Sequence, residues 1–262
     1  MASSTNQVDQ KEAVTRLFDD SSDFYTKERE RRPYRKVQVE ILLSMLEGAK
    51  GRILDIGCAA GGEVAELRAK NFEVVGIDLS PAMLKSAQRQ FGTDKAVQFC
   101  GADIEHLPFA SQSMDHVACM GVFEYLSDYS AALNEIHRVL QPGGIVVFAI
   151  PTRFSLFTVS ETIFNRTAAP LARFVRRLRS GESRRAGSAP VHRNLCEPGR
   201  FQERLVEHNF QPGRGYYANV FIYPLDRWVG LNDKVVAALE PVCSIPFLRK
   251  LGSLYLISAR KA

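Results

Sequence analysis

Residues 52–62 read Arg-Ile-Leu-Asp-Ile-Gly-Cys-Ala-Ala-Gly-Gly. A short apolar run carries Asp55 near its end, and a turn of small residues follows, with glycine at Gly57, Gly61 and Gly62. A helical pattern then begins at Val64, Leu67 and Ala69. Strand, glycine turn and helix in that order form a cradle for a nucleotide-type ligand, because glycine adopts φ > 0 without steric cost and lets a ligand approach the main chain. What Asp55 and the next strand contribute decides which ligand fits.

From this point the chain alternates. Strand-like runs fall at 52–56, 73–77, 97–100, 115–120 and 144–150, with helix-like runs at 62–70, 81–91 and 127–140. Continuous apolar strands separated by helices predict a mostly parallel sheet covered on both faces. Right-handed crossovers place the strand C-terminal ends on one edge, where open α/β sheets bind ligands. Before the alternation, residues 1–10 read as a frayed polar opening. The stretch from Glu12 to Leu46 mixes charge with aromatics, and its second half (Val37, Val39, Ile41, Leu42, Met45, Leu46) has helical spacing. After Pro151 the rhythm breaks into a segment rich in Arg, Phe and Ser, read as an inserted cap with a flexible link at 179–190. A helix near 198–208, a strand near 215–222 and a last strand at Leu254–Ala259 follow. Between those two strands, Trp228, Leu231, Val235, Val236 and Leu239 recur at helical spacing.

Composition narrows the setting. The net charge of +5 permits nucleic acid, an anionic membrane or an acidic partner and selects none. The five cysteines, Cys58, Cys100, Cys119, Cys196 and Cys243, include no CxxC, so reduced thiols in a cytoplasmic setting are expected. The polar opening from Met1 to Lys11 has no apolar core of the secretory type, and the longest apolar run is far too short to span a bilayer. No His/Asp/Glu group has metal-ligand spacing, so no metal is expected.

Three acids mark three successive strands. Asp55 lies in Leu-Asp-Ile-Gly, Asp78 in Val-Val-Gly-Ile-Asp-Leu-Ser, and Asp103 in Cys-Gly-Ala-Asp-Ile. A carboxylate closing the second strand is placed to accept both ribose hydroxyls of an adenosine, and one after the third to accept the adenine amine. A dinucleotide would set its diphosphate on the glycine turn, where an adjacent acid is unwelcome. S-adenosylmethionine has no phosphate and carries a sulfonium and an ammonium, which such an acid suits.

These segments resemble the class I S-adenosylmethionine-dependent methyltransferases, and the small-molecule group that includes the ubiquinone/menaquinone C-methyltransferases (methyltransferase type 11). Ile53 to Gly61 resembles the first cofactor motif, and Val75 to Leu84 the ribose-binding motif. Asp103 to Phe109, with Ser113-Met114-Asp115, is similar to the adenine-side loop and fourth strand. Leu133 to Gly144 is similar to the helix and turn before the fifth strand. The likeness runs over about 45–155, with Ala59 standing where the family usually has glycine. The resemblance implies a Rossmann-like α/β fold, a seven-stranded, mostly parallel sheet whose last strand is antiparallel, with helices on both faces and a helical cap. On that pattern the chain divides into 1–46, an N-terminal helical segment or lid; 47–151, the S-adenosylmethionine-binding core; 152–196, the basic cap insertion; and 197–262, the completion of the sheet. The implied cofactor-binding residues are Asp55, Gly57, Cys58, Ala59, Gly61, Asp78, Leu79, Met83, Asp103, Ile104 and Met120. Tyr25 becomes a candidate lid residue.

Methyl transfer is a displacement at a sulfonium carbon, so alignment in a dry site is the main requirement and a base is needed only if the nucleophile must lose a proton. His192 is the preferred candidate base. Glu124 follows the fourth strand and is a candidate for orienting the acceptor. His106 and His116 rank below them, and His137 reads as structural. In the cap, Leu171, Phe174, Val175 and Leu178 recur at helical spacing among arginines, a basic amphipathic helix after Pro170. Residues 170–185 would suit an acidic carrier protein, an anionic membrane surface, to which the protein would attach peripherally, or the roof of a greasy pocket. Phe154, Leu156, Phe157, Ile163 and Phe164 favour a lipophilic small-molecule acceptor. The expected activity is therefore O- or C-methylation of a small, hydrophobic or carrier-linked acceptor. The alternatives are an RNA or protein methyltransferase, disfavoured because no Asn-Pro-Pro-Tyr-like or RNA-binding motif occurs, a dinucleotide oxidoreductase, and a non-catalytic cofactor-binding module on the same fold.

Overall fold

The computed structural model describes residues 2–22, 33–167, 191, 193–219 and 249–262. Seven strands form one sheet: β1 (Arg52–Ile56), β2 (Glu73–Asp78), β3 (Val97–Gly101), β4 (Met114–Met120), β5 (Leu140–Pro151), β6 (Phe210–Ala218) and β7 (Leu254–Lys261). Their order is β3-β2-β1-β4-β5-β7-β6. The pairs among β1 to β5 are parallel, and β7 runs antiparallel between β5 and β6. The antiparallel last strand therefore lies inside the sheet, with β6 at the edge. Chain order reverses between β1 and β4, the switch point at which such sheets open a crevice.

The strands separate two cores because successive side chains point to opposite faces. Leu54, Ile56, Val75 and Ile77 face one core, together with Phe123, Phe148 and Phe201. Ile53, Val64, Leu67 and Val74 face the other, together with Leu42 and Leu46. The helices are α1 (Ala2–Asp20), α2 (Pro33–Met45), α3 (Val64–Ala69), α4 (Pro81–Phe91), α5 (Ser130–Val139), α6 at 156–167 and α7 (Pro198–Glu207). α4 starts where its residues dictate. The Ser80 hydroxyl accepts from the Met83 N–H at 3.1 Å, and Pro81 occupies the first helical position. α5 buries Ala132, Leu133, Ile136 and Val139, a stripe at helical period.

Several sequence expectations change. Residues 2–10, expected to fray, form the first turns of α1, whose later turns cover the sheet's ligand edge with Val14 buried; once these are fixed, each preceding residue adds a hydrogen bond at little cost. β5 begins at Leu140 rather than 144, because Leu140 pairs with Met114 and a register shift absorbs the Gly143-Gly144 turn. β6 begins at Phe210 rather than 215, with a similar shift between Pro212 and Gly215, and ends at Ala218. The basic helix after Pro170 and the helical pattern at 225–250, apart from its last two residues, lie outside the described residues.

Candidate active site

A cavity of about 250 Å³ opens beyond the C-terminal ends of β1, β2 and β4, at the switch point. Its floor is the glycine turn. Gly57 and Cys58 donate their N–H groups to the Ile77 carbonyl at 2.8 and 3.0 Å, which staples the turn to β2. Gly57 has φ +72°, and a Cβ there would lie 2.3 Å from a Val122 methyl, so both backbone and space demand glycine. Ala59 takes φ +48°, a left-handed conformation unusual for alanine. The Asp78 carboxylate closes the turn, accepting from the Ala59 N–H at 2.9 Å and from the Ser80 N–H at 2.8 Å.

Of the residues assigned to the cofactor from sequence, Gly57, Ala59, Asp78, Leu79, Asp103, Ile104 and Met120 line this cavity. Asp55, Cys58, Gly61 and Met83 stand behind it. Asp55 is buried under the turn, and its charge adds to burial in pushing the Cys58 and Cys119 thiols well up. The Cys58 sulfur sits over Gly76, where a Cβ would come within 2.9 Å of it. A Cβ on Gly61 would meet the Phe91 ring at 2.7 Å. Met83 packs beneath Ala59 and Ala60, with Phe18 against the same cluster.

The loop after β3 is held by a clasp. Arg138 donates to the carbonyls of Phe109 and Leu107 at 2.7 and 2.9 Å, while Glu135 accepts from the Leu107 N–H at 2.7 Å and pairs with Arg138. The clasp links two segments that the sequence resemblance singled out separately. Its hydrogen bonds, from Arg138 first and Leu107 second, hold the Glu135 carboxyl below its usual range.

α1 covers the cavity. Lys11 pairs with both Asp103 and Glu105, and Asp19 accepts from the Ser80 hydroxyl at 2.5 Å and the Ala82 N–H at 3.2 Å. Burial lowers the Lys11 pKa, but the two carboxylates outweigh it and hold the ammonium above its ordinary value. Sequence reasoning missed Lys11. The available signal was the Lys11, Val14, Thr15, Phe18 stripe, one helix face that carries a cation among apolar groups.

Glu124, in the single turn Phe123–Tyr125 after β4, is 4% exposed and reaches the cavity. It pairs with Arg193 at 3.1 Å, and the Arg193 guanidinium also lies over the Tyr125 ring, 5.6 Å from its centre. Asn194 donates its N–H to the Glu124 carbonyl at 2.6 Å and its side-chain amide to the Leu126 carbonyl. Residues 193–194 thus strap the cavity wall. In the sequence Arg193 is one arginine of the Arg-rich segment after Pro151, with nothing local to mark it. Tyr25 and His192 lie outside the described residues. His106 is exposed beside Asp103, at 3.9 Å. His116 sits toward the other end of β4, its pKa lowered by burial, and His137 meets Phe210 edge-on.

Residues 54–148 match the sequence family described as Methyltransferase domain. Over those residues the chain is similar to a methyltransferase domain. Malonyl-(acyl-carrier protein) O-methyltransferase of Enterobacter lignolyticus is 33% identical over 139 residues, covering 53% of this chain and 53% of that protein. Demethylmenaquinone methyltransferase of Thermus thermophilus is 41% identical over 127 residues, covering 46% of this chain and 58% of that protein. The chain thus spans about half the length of these curated relatives. A solved structure from Thermotoga maritima, described as a SAM-dependent methyltransferase, superimposes with a TM-score of 0.66 at 14% identity, over 94% of this chain and 99% of that one, and so shares the methyltransferase domain's fold.

Proposed function

We propose that the protein binds S-adenosylmethionine and transfers its methyl group to a small acceptor, hydrophobic or linked to a carrier, at oxygen or carbon. The observation that carries this reading is the occupant of the glycine turn. The Ala59 N–H, which a diphosphate would need, already meets the Asp78 carboxylate, with Asp55 buried beneath. Two acids at the turn oppose a phosphate and suit a cationic ligand. The walls fit the rest of S-adenosylmethionine. Leu79 and Ile104 offer apolar faces for a base, Asp78 has lone pairs left for ribose hydroxyls, and Asp103 can accept the adenine amine once Lys11 gives way.

Bound there, the cofactor supplies an electrophilic methyl on a sulfonium. The chain then has to hold the acceptor in line and keep water out. α1 does the second through Val14 and Phe18. Glu124, backed by Arg193, presents a carboxylate that orients an acceptor hydroxyl or a polarised ring. His192, next to Arg193 in sequence, is the proposed base where the acceptor must lose a proton, and Tyr25 the proposed lid residue. The relatives named for malonyl-(acyl-carrier protein) and for demethylmenaquinone supply the two acceptor classes to try first.

Calorimetry with S-adenosylmethionine, S-adenosylhomocysteine and NAD tests the cofactor. Micromolar binding of the first two without NAD is expected, and the reverse result ends the reading. A labelled-methyl transfer screen over quinols, carboxylic acids, acyl carrier proteins and tRNA then tests the reaction. Incorporation into tRNA alone would replace the small-acceptor assignment.

A further inference from the structure

A second cavity, about 290 Å³, lies beyond the ends of β4 and β5 on the same sheet edge. Arg153 enters it from the end of β5, and Arg200 and Arg204 enter it from α7. Its floor includes the buried Cys196 and Phe201, so the arginines stand around a recess rather than on a flat surface. Two carboxylates share it. Glu197 is divided between Arg153 at 3.4 Å and Arg200 at 3.1 Å. Asp128 accepts from the Tyr129 N–H at 2.8 Å and the Ser130 hydroxyl at 3.2 Å, at the start of α5. Among the described residues Arg204 pairs with the exposed Glu207, at 3.4 Å. Among the residues that line the recess, three guanidinium groups face the two carboxylates of Glu197 and Asp128, while Glu207, the partner of Arg204, is not one of them, so the lining itself carries a positive surplus. The start of α7 adds to it, since the Glu197 side chain makes no cap and the first N–H groups carry partial positive charge toward the recess.

The recess adjoins the reaction cavity. Asn194 lines it while donating its N–H to Glu124, which lines the other side. One two-residue strap, Arg193-Asn194, divides them. An acceptor with an anionic group among the arginines would therefore keep its other end at the methyl-transfer cavity. Guanidinium forks bind tetrahedral oxyanions through paired N–H donors, and three of them supply more donors than a single carboxylate can use.

We propose that this recess is a subsite for a phosphate group carried by the methyl acceptor. The assignment rests on the proposed methyltransferase activity only for its purpose, since phosphate binding is measured separately. Two sources share the chemistry: a small phosphorylated acceptor, and a phosphodiester arm presented by a carrier.

The full chain is titrated by calorimetry with 4′-phosphopantetheine, pantetheine and inorganic phosphate, as wild type, as Arg200→Ala/Arg204→Ala, and as Arg89→Ala, an equal type of charge loss on exposed α4. S-adenosylhomocysteine is titrated into each as the reference. Phosphopantetheine is expected to bind at least tenfold more tightly than pantetheine, and the double variant to lose at least tenfold. Arg89→Ala should change nothing, and S-adenosylhomocysteine affinity should stay within twofold throughout. Inorganic phosphate competing as well as phosphopantetheine assigns the site to small phosphorylated acceptors, and a large advantage for the arm assigns it to a carrier. Equal binding of pantetheine, retention by the double variant, or equal loss in Arg89→Ala overturns the proposal. Loss of S-adenosylhomocysteine binding by the wild type overturns the methyltransferase reading instead and leaves the phosphate result standing on its own.

Discussion

The two halves of the sheet's ligand edge are built from different material. On the β1–β3 side, main-chain groups set the geometry. Gly57 and Cys58 bond to Ile77 and Ala59 bonds to Asp78, each one strand away, and the Ser80 N–H bonds to Asp78 within its own turn. On the β4–β6 side, long side chains with exposed heads do the positioning: Arg193 on Glu124, and Arg153 and Arg200 on Glu197. A backbone-built site tolerates few residue types and binds one ligand shape. A site held by exposed ion pairs contributes little stability per pair and can change partners at small cost. On the proposed function, a fixed cofactor half thus adjoins an adjustable acceptor half.

The largest effect that this contrast predicts is at Asp78. Asp78→Ala removes the acceptor of two backbone N–H groups and of the proposed ribose contact, so S-adenosylhomocysteine binding should weaken by about 1.5–3 kcal/mol. Arg193→Ala, on the other half, should leave that affinity within about twofold, since the pair it breaks is a partly exposed one. Calorimetry on both variants measures the difference, and similar losses would erase the distinction between the halves.

Next in size is the Arg138 clasp, a side-chain device serving the backbone-built half. Arg138→Met leaves the Leu107 and Phe109 carbonyls and Glu135 without their main partner, which should cost about 1–3 kcal/mol in denaturant unfolding. The pH dependence has a definite sign. Glu135 is held below its ordinary value, so its contribution is present above the unfolded carboxyl range and is lost as pH falls through the lowered value. The variant should show a shallower acid-side loss of stability than the wild type. An unchanged one would mean that the Leu107 N–H alone holds the carboxylate.

The same division explains what could be read from the sequence. The glycine turn, the acids Asp78 and Asp103, and α4 with its Ser80-Pro81 start were legible because each is marked in the chain itself, by small residues after a strand, by an acid near a strand's end, or by a cap residue before a helical period. The mostly parallel sheet followed from alternation and its antiparallel last strand from the resemblance, while the starts of β5 and β6 did not, because register shifts against distant partners set them. Lys11 and Arg193 escaped notice for a related reason. Lys11 meets acids 92 and more positions away, and Arg193 a carboxylate 69 away, so nothing local marks either. Long polar side chains carry no periodic signal, and the β4–β6 side of the ligand edge is positioned by them.

The smallest predicted effect is the sharpest probe of the backbone-built half. Ala59 holds φ +48° on the cavity floor, where its methyl joins Ala60 and Met83. Left-handed alanine costs about 1 kcal/mol that glycine avoids. Ala59→Gly recovers that strain but frees the unfolded chain by about 0.4–1 kcal/mol, so net stability should move by less than about 0.5 kcal/mol. The methyl also narrows the approach to the turn, so S-adenosylhomocysteine should bind up to about threefold more tightly to the glycine variant, roughly 0.6 kcal/mol. Thermal unfolding and calorimetry read the two quantities independently. Destabilisation beyond about 1 kcal/mol would show that the methyl's packing on Met83 outweighs the backbone strain. The alanine would then be a core residue that happens to face a ligand, and the fixed half of the site would owe part of its rigidity to side chains after all.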